Sequence, residues 1–219
     1  MFDVVVLASG RGSNFAALRT AQMRGDLPIC LRAVLSDKAK APALDLARNA
    51  GVAALSLSPR DYADRASFDR ALFARAAEFS PDLIVFAGYM RVIDAAVIEQ
   101  WRGKAINIHP SLLPKYPGLH THARALKAGD RVHGASVHFV TAELDGGPVI
   151  AQVELPIQTG DTADTLAARL LIREHQLLIA AIDLIAQGRI ALGIDGVAFD
   201  GCMCRVPLKL TDNGTLSAS

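Results

Sequence analysis

The chain has 219 residues, enough for one large domain or two small ones around a sizeable core. Hydrophobic residues make up 51%, charged residues 21%, and the formal net charge is +1, so no global charge bias points to nucleic acid or an acidic membrane. Cys30, Cys202 and Cys204 form an odd set with no disulfide framework, which fits a reducing, cytoplasmic setting. Cys202-Met203-Cys204 is too tightly spaced, and lacks the second pair, for a structural zinc site.

Met1 to Leu7 lacks a basic leader, carries an early Asp3 and reads as a first strand rather than a signal peptide. No run reaches the roughly eighteen apolar residues that a membrane-spanning helix needs. Asp3 to Ala8 is continuously apolar, as expected of a strand covered on both faces. Helix-like composition follows over Phe15 to Met23, then a strand at Ile29 to Leu35, a helix at Pro42 to Asn49 and a strand at Val52 to Leu57. Ser67 to Phe79 has Phe68, Leu72 and Phe73 on one helical face, with Asp69, Arg70 and Arg75 elsewhere. Leu83 to Ala87 is the most strand-like run, and a helix over Asp94 to Trp101 leads to a strand ending at His109.

This alternation predicts an α/β fold with a doubly wound, mostly parallel sheet of Rossmann type. After Pro114 the rhythm changes. Gly118 to Ala128 reads as a loop and short helix, while Val132 to Thr141 and Pro148 to Leu155 read as antiparallel strands joined by a Gly-rich turn. A long helix from Thr162 to Gln187, capped by Thr162 or Asp161, closes the patterned part. Residues 189–219 are weakly patterned, with a short hairpin at most before a frayed Ser-Ala-Ser end.

Four segments carry candidate chemistry. Asn107-Ile108-His109-Pro110-Ser111-Leu112-Leu113-Pro114 places an amide donor and a titratable imidazole on one strand face, and Pro110 ends the ladder. Such a pair suits stabilising an oxyanion and moving a proton; otherwise it is a buried polar pair satisfied by backbone. Ala8 to Asn14, rich in Gly and Ser, stands between the first strand and first helix. It reads as a phosphate-binding turn or as a simple helix cap, and it lacks the third Gly of the dinucleotide fingerprint. Leu144-Asp145-Gly146-Gly147 is a hairpin turn whose carboxylate has a second possible role, orienting His109 and raising its pKa. Gly88 to Ile93 offers an apolar slot at a strand's carboxyl end, or core packing. His120-Thr121-His122 invites a metal reading, but no Cys is near and no i, i+4 His pair brackets a carboxylate, so no metal is expected.

Together these segments resemble the folate-dependent glycinamide ribonucleotide formyltransferases. The resemblance runs from Val4 to about Gly188 and also takes in Tyr116-Pro117-Gly118 and Ser136 to Thr141. It implies one formyltransferase domain over 1–219, with a phosphate-binding half at 1–100, a folate-binding and catalytic half at 101–188, and a tail at 189–219. It implies Asn107, His109 and Asp145 as the catalytic trio. It assigns Gly12, Ser13 and Asn14 to the ribonucleotide phosphate, Glu174 to the glycinamide amine, and Arg65, Met90, Arg91, Val92, Ile93 and Asn107 to the folate. The co-substrate implied is 10-formyltetrahydrofolate, with small-molecule substrates as partners, no nucleic acid or membrane, and oligomeric state left open. Leu171 stands where relatives usually carry a polar residue, and Ala142 where related folate loops carry an acidic one. A formyltetrahydrofolate hydrolase, a nicotinamide-dependent oxidoreductase and a non-catalytic nucleotide-binding module remain as alternative readings.

Overall fold

In the computed structural model, which describes residues 1–218, the opening apolar run is strand β1 (Phe2–Leu7). Val4, Val5, Val6 and Leu7 are each 0% exposed, and burying a side chain of this size stabilises the fold by about 1.5–3 kcal/mol. The chain falls into two compact units, Met1–Asn107 and Ile108–Ser219.

In the first unit the elements follow the expected alternation: α1 (Ser13–Arg24), β2 (Ile29–Ser36), α2 (Pro42–Asn49), β3 (Ala53–Ser56), α3 (Arg65–Ala77), β4 (Leu83–Phe86), α4 (Ala95–Glu99) and β5 (Ala105–His109). Local signals set the helix ends. Pro42 opens α2 with its φ already helical, and Asp64 and Ser67 form a reciprocal capping box on α3. β1 pairs in parallel with β2 and β4, β2 with β3, and β4 with β5, giving the order β3-β2-β1-β4-β5. The chain winds outward from β1 to β3, then returns to the other side of β1 as β4. Ligands of open sheets bind at such a reversal, outside the carboxyl ends of the two strands. The segments after β1 and β4 are the Gly-Ser loop and Gly88 to Ile93. One expectation fails on α3: Asp69, placed by helical spacing off the buried face, is 0% exposed.

The second unit holds α5 (Thr121–Ala128), the antiparallel pair β6 (Val132–Phe139) and β7 (Val149–Pro156), and α6 (Ala163–Ala186), which packs on β6 and β7. Thr162 caps α6 and exchanges bonds with Thr165 as a capping box. The tail is more ordered than its pattern suggests. β8 (Ile190–Leu192), β9 (Val197–Phe199) and β10 (Cys202–Met203) make a three-stranded antiparallel sheet. β11 (Leu208–Leu210) then runs parallel to β7, and β12 (Leu216–Ser217) runs antiparallel to β11. Ser219, at the expected frayed end, lies outside the described residues.

A buried hydroxyl fixes the segment after β5. Ser136 Oγ donates to the Ser111 carbonyl at 2.7 Å and accepts from Leu113 N–H at 3.0 Å and Gln152 Nε2 at 2.9 Å. Gln152 Nε2 also donates to the Leu113 carbonyl at 2.8 Å. Ser136→Ala would leave several buried groups short of a partner. We expect it to cost about 1–3 kcal/mol in urea unfolding, and a loss within experimental error would dismiss this hub.

Candidate active site

Between β1 and α1 the backbone turns through Gly12, the N-cap of α1, at φ 78. Only glycine fits there, because a Cβ would stand 2.7 Å from Ala43 Cα as well as requiring the left-handed conformation. No side chain caps α1, and its first turn carries no acidic residue. Ser13 and Asn14 therefore lie inside the helix's first turn and do not act as caps. Uncapped N–H groups and the helix dipole make this end attractive to an anion. Asn14 is buried, and its Oδ1 has no hydrogen-bond partner among the described residues.

At the end of β4, Tyr89 and Ile93 turn inward, whereas Met90 is 63% and Val92 42% exposed. Two exposed apolar side chains on one short loop form a surface suited to a flat ligand. Arg91 lies with its guanidinium carbon 5.0 Å from the centre of the Phe68 ring. Arg65 is exposed at the first position of α3. Beneath them, Asp69 Oδ2 accepts the Asp94 N–H at 2.7 Å. Burial drives its carboxyl above the ordinary range, against the pull of that N–H and of Arg91 and Arg65.

β5 carries the two polar residues of the opening motif. Asn107 is half-buried and registers with Phe86 of β4. His109, in the second unit, is buried, and its Nε2–H donates to the Tyr116 carbonyl at 2.9 Å. Its Nδ1 faces Asp145 Oδ2 at 3.5 Å. That same oxygen accepts the Gly118 N–H at 2.8 Å, while Asp145 Oδ1 lies 3.6 Å from His138 Nε2. His138 donates its Nδ1–H to the Phe139 carbonyl at 2.9 Å. Each imidazole thus gives one N–H to backbone and turns its other nitrogen to a single carboxylate. Asp145 itself adopts φ 51, a left-handed conformation that Asp tolerates better than most residues.

Charge balance here corrects one expectation. Burial lowers the His109 pKa and outweighs the upward pull of the Tyr116 carbonyl and Asp145, so the imidazole titrates below its ordinary value rather than above it. Burial also opposes ionisation of Asp145, but His138, the Gly118 N–H and His109 hold its carboxyl below the ordinary range. The site at rest pairs a charged carboxylate with an imidazole biased toward neutrality.

Glu174 sits on α6, and burial alone raises its carboxyl to about 7. His122 and His133 stack edge to face, with ring centres 5.0 Å apart. Burial lowers both pKa values, that of His133 to about 4. Among the described residues, no group of three His, Cys, Asp or Glu side chains is placed to hold a metal ion. Sequence reasoning missed His138 as a partner of Asp145 and the Tyr116 carbonyl as the acceptor for His109. The strand period was a usable signal for the first, since it puts His138 on the same face of β6 as Ser136; nothing in the sequence marks the second.

The formyl transferase family profile matches residues 2–182. The phosphoribosylglycinamide formyltransferase of Escherichia coli (strain K12) is 44% identical over 199 residues, covering 91% of this chain and 94% of that protein. The solved phosphoribosylglycinamide formyltransferase of Coxiella burnetii superposes with a TM-score of 0.89 at 41% identity, covering 92% and 94% of the two chains. A formyltetrahydrofolate deformylase from Pseudomonas putida is more distant, at 26% identity and a TM-score of 0.79, covering 90% of this chain and 69% of that one. The chain belongs to the formyl transferase family and, within it, to the phosphoribosylglycinamide formyltransferases.

Glu174 yields a stability test. Its folded-state pKa is raised, so the native protein holds a proton that the unfolded chain releases between the ordinary carboxylate range and about pH 7. Stability from this group falls as pH rises through that window. The stability of wild type relative to Glu174→Gln should therefore decline from about pH 5 to about pH 8, measured by denaturant unfolding. A difference that stays flat would show that Glu174 does not titrate there.

Proposed function

We propose that this chain transfers the formyl group of 10-formyltetrahydrofolate to the amine of 5'-phosphoribosylglycinamide. The products are 5'-phosphoribosyl-N-formylglycinamide and tetrahydrofolate, in purine biosynthesis. The observation that carries this reading is the Asp145 carboxylate set between His109 and His138, in a chain 44% identical to a phosphoribosylglycinamide formyltransferase. Gly12, Ser13 and Asn14 take the ribonucleotide phosphate, using the uncapped start of α1. Met90 and Val92 provide the apolar contacts for the folate with Ile93 packed beneath them, Asn107 a polar one, and Arg65 and Arg91 the positive charge for its acidic end. Glu174 receives the glycinamide amine. The free cysteines fit a reducing compartment, which we take to be the cytoplasm.

In this reaction the amine attacks the formyl carbon, and negative charge develops on the formyl oxygen. Asn107 donates an N–H to that oxygen, where a preorganised donor is worth most. The attacking nitrogen loses one proton and N10 of the folate gains one as the C–N10 bond breaks. Asp145, ionised at rest, takes the amine's proton through water and passes it to His109 Nδ1, and the charged imidazole gives one proton to N10 and returns to neutrality. A lowered pKa makes His109 a ready proton donor once charged, and the neighbouring Asp145 stabilises that transient charge.

The purified chain should consume 10-formyltetrahydrofolate only when the ribonucleotide is present, with the formyl group found on the glycinamide nitrogen by mass spectrometry. Rapid release of formate without acceptor would make the chain a hydrolase, and no reaction under either condition would make it a binding module. Asp145→Asn should lower turnover by about a hundredfold or more. It should also lower the His109 pKa further, because the Asp145 charge raises it. An NMR titration giving the same His109 pKa in both proteins would reject the pairing.

A further inference from the structure

Ser9 has no part in the chemistry above, yet it joins three strand ends of the first unit. It follows β1 within the Gly-Ser loop and is 4% exposed. Its N–H donates to the Gly88 carbonyl at 3.1 Å, and its Oγ accepts the Met90 N–H at 3.1 Å. That Oγ donates in turn to Asp37 Oδ1, just beyond β2, at 2.6 Å. A short bond to a carboxylate fixes the hydroxyl proton, so the oxygen's lone pairs are left facing Met90. Hydrogen bonds in series also strengthen one another.

From this we infer that Ser9 is a positioning residue that holds the Gly88–Ile93 loop in register with the Gly10–Asn14 loop. The inference rests on the assignment of those loops to folate and ribonucleotide. Two bonds from one residue, one through its backbone and one through its side chain, fix Gly88 and Met90 at once. Met90 and Val92 thereby present their apolar side chains from a backbone already in place, and the folate binds without having to order it. Without the hydroxyl, the Met90 N–H loses its acceptor and the loop samples other positions. Only the fraction of molecules in the competent position then binds folate well.

The test uses the full chain, steady-state kinetics with both substrates, thermal unfolding and amide hydrogen exchange at Met90. Ser9→Ala should raise KM for 10-formyltetrahydrofolate on the order of tenfold, with kcat within about twofold of wild type and faster exchange at Met90. Ser9→Thr, which keeps a hydroxyl, should recover most of the affinity. Asp37→Ala leaves Ser9 intact but frees its rotamer, and should raise the same KM about threefold. This half-buried position covers the case in which Ser9→Ala fails to fold. An unchanged folate KM in both Ser9→Ala and Asp37→Ala would overturn the inference. So would a loss shared by kcat and both KM values that follows a lowered Tm and is not recovered by Thr. Wild-type kinetics separate the two readings: no formyl transfer by wild type removes the proposed function and the Ser9 role with it, whereas active wild type with unaffected variants removes the Ser9 role alone.

Discussion

Keeping Asp145 charged in a place that disfavours charge is the constraint on which the second unit's chemistry depends. Burial works against that charge. The Gly118 N–H opposes that pull, as does each imidazole when its Asp145-facing nitrogen carries a proton, and each of these groups needs its own support. The Tyr116 and Phe139 carbonyls take the outer N–H of each ring, so both rings are oriented by backbone. Tyr116 is in turn held by a bond from its hydroxyl to Asp130 at 2.9 Å and by Arg124, whose guanidinium carbon lies 5.1 Å from its ring centre. Ser136 fixes the segment that leads into this turn. Many of the polar bonds of the unit therefore converge on the surroundings of one carboxylate.

The first unit solves a different problem. Its parallel strands are covered on both faces and leave little room for chemistry among their side chains. Function moves to the loops beyond the carboxyl ends of β1 and β4, where the strand order reverses. The Gly12 turn brings the backbone close to Ala43 and leaves helix N–H groups uncapped. Across the same reversal, Gly88 to Ile93 exposes apolar side chains above a buried Asp69 that ties down the Asp94 amide.

The alternation of strands and helices through His109 was legible because apolar runs and helical spacing are local properties of the sequence. So was the antiparallel pair after it, marked by period-two alternation around Gly-rich residues. Other features were hidden because they depend on partners far along the chain. Ser9 and Met90 are 81 positions apart, and neither residue type predicts the other. Asp69 shares a helix with good apolar spacing, but its burial follows from the Asp94 amide and the arginines around it. The direction of the His109 shift was misjudged because the carboxylate was visible in the sequence and the degree of burial was not. The tail lacked pattern because strands of two or three residues are too short to show a period, so its sheets are set by their neighbours.

That tail has a consequence for how the chain is made. β7 has β6 on one side and β11 on the other, and Ala151 registers with Leu208. During synthesis the outer edge of β7 stays unpaired until about fifty further residues have emerged, which takes a few seconds at roughly 5–20 residues per second. Through that interval β7 presents an open row of backbone donors and acceptors, the feature that invites pairing with other chains. Crowding on polysomes, slow translation or truncation before Leu208 would each prolong that exposure. The edge closes at Ala151 and Gln152 only once Leu208 and Lys209 have emerged.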